Sequence, residues 1–134
     1  VEELPIVEVV DHHRIAFAPT VDPIKYTADV VGATCTLVAE LFRAAQIQPT
    51  KEVAAAMLAG VVSDTLLFQS PTTTDTDRSI CGWLEQLAGM TSMDMMTGLR
   101  INSTLTKSYC SATMRILKRY TIICMARKQI SKGI

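Results

Sequence analysis

The residues with the most chemistry per position lie at Asp11-His12-His13, where three polar side chains stand in a row directly after the β-branched run Pro5-Ile-Val-Glu-Val-Val10. Polar groups at the end of a buried strand must be either solvated or used. On a regular strand neighbouring side chains point to opposite faces, so His12 and His13 cannot both bind one metal ion there. At a strand-to-loop exit they can serve different partners. One imidazole then binds a metal, while the other, protonated beside anionic charge, faces a bound anion. The second candidate is Ser63-Asp64-Thr65, placed at once after the apolar stretch Val53 to Val62. A carboxylate buried without a partner is costly, and a divalent cation is one thing that offsets the cost. Each feature alone is commonly solvated surface; together they gain force as one site.

These residues need elements to position them. Pro5 to Val10 reads as a strand whose carboxyl end delivers Asp11, His12 and His13, with Pro19 and Pro23 in a polar connection beyond. Gly32-Ala-Thr-Cys-Thr36 opens a helix whose apolar Leu37, Val38, Leu41, Phe42 and Ala45 follow the helical period, and Gln46 to Pro49 ends it. Thr50 is an N-cap and Glu52 sits in the first turn of a second helix that runs to about Val62 and is apolar nearly all round, hence buried. Ser70-Pro71-Thr72-Thr73-Thr74 is a turn. Thr74 and Asp77 form an acidic version of the capping box for a third helix with the stripe Ile80, Trp83, Leu84 and Leu87, closed by Gly89. From Met90 the pattern weakens, although Tyr120-Thr-Ile-Ile-Cys124 has the composition of a strand. Strands alternating with helices predict an α/β domain with a mainly parallel sheet flanked by helices.

Composition bounds the rest. The chain has 134 residues, 49% hydrophobic, with 13 basic and 13 acidic side chains, which reads as one soluble globular unit and excludes collagen, coiled coil and disorder. Val53 to Val62 is about half of the ~20 residues a bilayer span needs, so no membrane segment is expected. Cys35, Cys81, Cys110 and Cys124 are scattered with no C-x-x-C pair, which argues against a zinc site or a secreted disulfide framework and for a cytoplasmic compartment. All 13 acidic residues lie between Glu2 and Asp94, whereas Arg100, Lys107, Arg115, Lys118, Arg119, Arg127, Lys128 and Lys132 follow with no acid among them. Such an asymmetry marks a boundary or a polyanion-facing segment, and it divides the chain into 1–94 and 95–134. With Val1 first and a strand-like run from Pro5, the chain is expected to start inside a larger protein.

Three segments also carry a resemblance. Val9-Val-Asp11-His12-His13-Arg14-Ile15, Val31-Gly32-Ala-Thr34-Cys-Thr36 and Ser63-Asp64-Thr65-Leu-Leu-Phe68-Gln-Ser70-Pro71-Thr72 look like the DHH phosphoesterase superfamily, and within it the family II, manganese- or cobalt-dependent inorganic pyrophosphatases. The triplet alone indicates the superfamily; the Ser-Asp-Thr-Leu-Leu-Phe-x-Ser-Pro-Thr run is specific to the pyrophosphatase branch. The match is close from about Glu3 to Gly89. The Val-Gly-Ala-Thr-Cys-Thr version is similar to members with an inserted pair of regulatory CBS domains.

The resemblance implies roles. His12 is a metal ligand, His13 faces the phosphate and acts in catalysis, and Asp64 is a ligand of the same metal. Asp11 orients the neighbouring imidazole. A nitrogen and oxygen ligand set without thiolate suits Mn2+ or Co2+, with Mg2+ accompanying the substrate. The implied reaction is hydrolysis of inorganic diphosphate to two orthophosphates by a metal-activated water, in a cytoplasmic homodimeric parent that binds neither nucleic acid nor membrane. The family's His-x-x-x-Asp-x-Asp and Asp-Thr-Asn motifs do not occur in this chain, so residues 1–94 are expected to be the carboxyl-terminal part of the DHH domain. Leu117-Lys118-Arg119-Tyr120-Thr121 resembles the stretch that opens the second, DHHA2-type domain and brings a substrate lysine, here Lys118; the acidic residue expected just before it is missing. Alternatives are another DHH phosphoesterase, such as an exopolyphosphatase or an oligonucleotide or cyclic-dinucleotide hydrolase, and a non-catalytic remnant.

Overall fold

The computed structural model describes residues 8–14 and 22–101, the side chains as far as residue 99. Two short strands, β1 (Glu8–Asp11) and β2 (Lys25–Ala28), pair in parallel with Glu8 opposite Lys25 and Asp11 opposite Ala28. A parallel pair cannot be closed by a tight hairpin, so both strands run out at the same end of the sheet. That end carries His12 after β1 and the segment Asp29 to Val31 after β2. The sequence reading took Lys25 to Ala28 as part of a polar connection; its Lys-Tyr-Thr-Ala composition gives no apolar run, and only the ladder with β1 makes it a strand.

Four helices follow. α1 (Thr34–Ala44), α2 (Lys51–Asp64) and α3 (Asp75–Ala88) stand where the periodicity placed them. α4 (Ser92–Ile101), which the weak pattern after Met90 did not reveal, is also helical. It docks on α2, with Met95, Met96 and Leu99 against the core. Long flexible thioethers fill irregular gaps without a regular stripe, which is why the period was hard to read. The strand expected over Tyr120 to Cys124 lies outside the described residues.

α2 is the central helix, packed on α1, α3 and α4. Its Met57, Leu58, Val61 and Val62 are fully buried with Ile80 and Leu84 of α3, as expected for a helix apolar on most of its circumference. Small residues let α1 come close: a Cβ on Gly60 would collide with the Cys35 sulfur. Capping sets the helix ends. Val53 N–H donates to Thr50 Oγ1 at the start of α2 (3.4 Å), and Thr74 and Asp77 form the full capping box of α3. Gly89 ends α3 in the left-handed conformation, φ 66°, which costs glycine nothing.

The helix α2 extends through Ser63 and Asp64, which the sequence reading placed just beyond it. After Thr65 the chain makes an unusual turn: Leu66, Leu67 and Phe68 all have positive φ, 50°, 53° and 65°. Thr65 holds this turn from inside. Its hydroxyl donates to Val61 O (2.6 Å) and accepts from Phe68 N–H (3.3 Å), while Ser70 N–H reaches back to Thr65 O (2.8 Å). Among the described residues no helix is long and apolar enough to cross a membrane.

Candidate functional site

β1 ends at Asp11, and the backbone turns there because the Asp11 carboxylate accepts from the next two amides. His12 N–H donates to Oδ1 at 2.8 Å and His13 N–H at 3.2 Å. The turn breaks the alternation of a strand. Instead of pointing to opposite faces, the two imidazoles converge, their Nε2 atoms 3.2 Å apart and their rings edge to face at 4.1 Å between centroids. The opposite-face geometry of a regular strand thus gives way to two rings converging on one locus.

The far sides of both rings are anchored. His12 Nδ1 lies 3.1 Å from Val31 O. A carbonyl can only accept, so this nitrogen carries a proton and Nε2 of a neutral His12 presents a lone pair. His13 Nδ1 lies 2.7 Å from Asp11 Oδ1, which again places a proton on Nδ1. Two neutral rings so anchored would set lone pair against lone pair at 3.2 Å. The two Nε2 atoms thus face one locus, where a cation or a shared proton fits between them. Burial pushes the Asp11 carboxyl up, but the hydrogen bonds and charge of His13 and the two backbone amides outweigh it and hold Asp11 below the ordinary range.

Asp64 arrives from the opposite direction, on the last turn of α2. It is half-buried, and this burial raises its carboxyl above the ordinary value although His12 and His13 are near enough to pull it partly back. A carboxylate held in a desolvated place beside two imidazoles is a group in need of a cation.

The donor set suits a hard or borderline divalent ion: imidazole nitrogen and carboxylate oxygen, with no thiolate. Cys81 is buried, and burial, followed by the nearby Glu85, pushes its thiol up to about 11, so it contributes no sulfur anion. Among the described residues no three His, Cys, Asp or Glu side chains converge enough to hold an ion by themselves. The residues fit a metal in kind, with a ligand number that further side chains must complete. Lys118 lies outside the described residues.

The sequence reading missed two members of this neighbourhood. Val31 offers only its backbone carbonyl, which no residue pattern announces. Asp77 was read as a helix cap, yet it is fully buried and also accepts from Gly32 N–H (2.8 Å) and Thr36 Oγ1 (2.5 Å). The available signal was the side-chain length: the capping box ordinarily uses Glu or Gln, and a shorter acid there can serve a second element.

Comparison with known proteins agrees with the motifs. Residues 1–61 match the DHH family, N-terminal domain. The chain is 43% identical over 97 residues to a protein of Listeria welshimeri described as a probable manganese-dependent inorganic pyrophosphatase, covering 72% of this chain and 30% of that one. It is 41% identical over 90 residues to the manganese-dependent inorganic pyrophosphatase of Bacillus subtilis, covering 67% and 29%. A solved structure from Methanococcus jannaschii, described as a "putative family II inorganic pyrophosphatase", superposes with a TM-score of 0.61 at 33% identity, covering 67% of this chain and 33% of that one. The chain thus spans about 30% of the length of these curated relatives. The resemblance read from the motifs and the α/β fold are both borne out.

Proposed function

We propose that this chain supplies part of the site of a manganese-dependent enzyme that hydrolyses inorganic diphosphate to two orthophosphates. The observation that carries the reading is the unequal anchoring of the two imidazoles. A carbonyl behind His12 directs its Nε2 lone pair outward to ligate, and a carboxylate behind His13 fixes the orientation of that ring. His12 and Asp64 hold Mn2+ or Co2+, together with side chains that these residues do not supply. The ion supplies an activated water and neutralises phosphate charge, with a second ion and substrate-borne Mg2+ adding to the clamp.

The chain's own residues do the rest. With a metal held at His12 Nε2, His13 would be placed to give a hydrogen bond to a phosphate oxygen, where it would stabilise charge that grows during cleavage. Asp11 holds that ring in place through its 2.7 Å bond to Nδ1. Asp64, desolvated at the end of α2, contributes the negative charge that draws the cation in. Because α4 packs on α2, the catalytic part is taken to include it, and Lys118, outside the described residues, is the position proposed for a further phosphate contact. The proposal takes over from the family resemblance a cytoplasmic, homodimeric parent with no nucleic-acid or membrane partner.

The test is phosphate release by the full-length protein, in the presence of Mn2+, from diphosphate, tripolyphosphate and a dinucleotide. Fastest turnover of diphosphate is expected. Preference for the dinucleotide or for the longer chain would transfer the protein to another DHH phosphoesterase, and no turnover of any of them would leave a non-catalytic remnant.

A further inference from the structure

His12 Nδ1 donates to the carbonyl of Val31, and the amide on the other side of the same peptide bond, Gly32 N–H, donates to Asp77 Oδ2 at 2.8 Å. One planar peptide thus joins a buried carboxylate on α3 to an imidazole at the end of β1. We propose that Asp77 is a positioning residue for His12, acting through the Val31–Gly32 peptide to hold the proton on Nδ1 and the Nε2 lone pair outward. The proposal rests on the reading of His12 as a metal ligand, but the relay exists whether or not a metal binds.

Three independent features support it. Asp77 is 0% exposed, and both of its carboxylate oxygens accept hydrogen bonds. Oδ2 takes Gly32 N–H, Thr74 N–H and Thr74 Oγ1–H, the last two at 2.7 Å, and Oδ1 takes Thr36 Oγ1–H. Burial pushes its carboxyl up, and the bonds from Thr36, Thr74 and Gly32 more than offset this, so Asp77 remains an anion. An anion accepting from a peptide N–H drives electron density toward the carbonyl oxygen of that peptide, which makes it the better acceptor for the imidazole proton.

Gly32 is the second feature. A Cβ there would stand 2.9 Å from Asp77 Oδ2 and 2.8 Å from Thr65 Cγ2. Only glycine lets the carboxylate seat itself on this amide while α2 keeps its place. The third is economy of role: the capping box of α3 needs Asp77 only to meet Thr74, and neither Gly32 nor Thr36 belongs to that helix.

Two substitutions separate the relay from a structural role. Asp77→Asn keeps size and shape: its amide oxygen can take the Oδ2 position and accept the same N–H groups, while the charge is gone. Gly32→Ala keeps the charge and displaces it. In the metal-free full chain with 15N-labelled histidine, wild-type His12 is expected to be in its Nδ1–H form, and either variant should lower the ratio of Nδ1–H to Nε2–H tautomer about threefold. His13, anchored by Asp11, should not change. An unaltered His12 ratio in variants with native helical circular dichroism would overturn the proposal. Should the variants fail to fold, the wild type answers alone. Scalar couplings are expected across both hydrogen bonds, from Gly32 15N to Asp77 13Cγ and from His12 15Nδ1 to Val31 13C′, and absence of either refutes the relay. Addition of Mn2+ tests the other reading separately: a relay present without paramagnetic broadening of His12 would leave Asp77 in its role and remove the metal from His12.

Discussion

At the scale of single residues the two histidines are distinguished by what stands behind them, and this makes their variants separable. Asp11→Asn weakens the contact that orients His13; diphosphate turnover should fall with KM raised, while Mn2+ affinity changes little. Asp77→Asn should do the reverse, weakening Mn2+ by about 10-fold or more, as loss of an orienting partner behind a ligand does. Titration of both variants with Mn2+ and with substrate checks the split. Asp77 also sets a pH dependence of stability. Its carboxyl lies below the ordinary 3.8 in the folded chain, so the native state favours the anion more than the unfolded state does. The resulting stability is full above about pH 4 and is lost as the pH falls through the lower native value. Acid unfolding followed by circular dichroism should show a shallower fall for Asp77→Asn than for wild type. The triplet Asp11-His12-His13 was legible as chemistry from its place after a β-branched run. The convergence of the rings was not, because a strand rule was applied one residue past the point where Asp11 bends the backbone.

At the scale of elements the helices were the readable part. Thr50, the Thr74 and Asp77 pair and Gly89 announce ends by local hydrogen bonding, which acts within a few residues of sequence. β2 was not readable, because Lys25-Tyr-Thr-Ala28 becomes a strand through a partner distant in sequence. α4 was hidden by methionines that pack without a strict period. Local ends also give local costs. Thr74→Ala should destabilise by about 1 kcal/mol, measured by urea unfolding. Gly60→Ala reverses the usual rule: alanine favours a helix by nearly 1 kcal/mol over glycine, but here the new methyl meets the Cys35 sulfur. Net destabilisation is expected, and Cys35→Ala in the same chain should recover part of it, which a double-mutant cycle would measure.

At the scale of the whole molecule the described residues form a helical core with a two-stranded sheet at its side. Such a sheet is marginal alone, and the two proposed ligands, His12 and Asp64, are fewer than a metal ion needs. The 134-residue chain by itself should therefore release no phosphate from diphosphate and bind Mn2+ weakly, which calorimetry and a phosphate assay would show. Activity abolished by His12→Ala in that chain would contradict this. The parallel α/β class was visible in the alternation of elements. The pairing of Asp64 with the histidines was not, since sequence carries no distance between the ends of α2 and β1; it came from the family likeness, and the mutual electrostatic influence of these groups is consistent with it.

The left-handed turn from Leu66 to Phe68 places three branched or aromatic residues where each costs roughly 1 kcal/mol relative to glycine. Leu67 and Phe68 pack on the core, whereas Leu66 is 60% exposed and contributes little burial in return. For anyone engineering this protein, Leu66 is thus the cheapest route to a higher melting temperature, and Leu66→Gly should raise it. The same change frees the backbone two residues after Asp64, so the gain is expected to come with a looser grip on the cation. A lineage selected for turnover would keep the leucine, and one selected only for heat resistance would discard it.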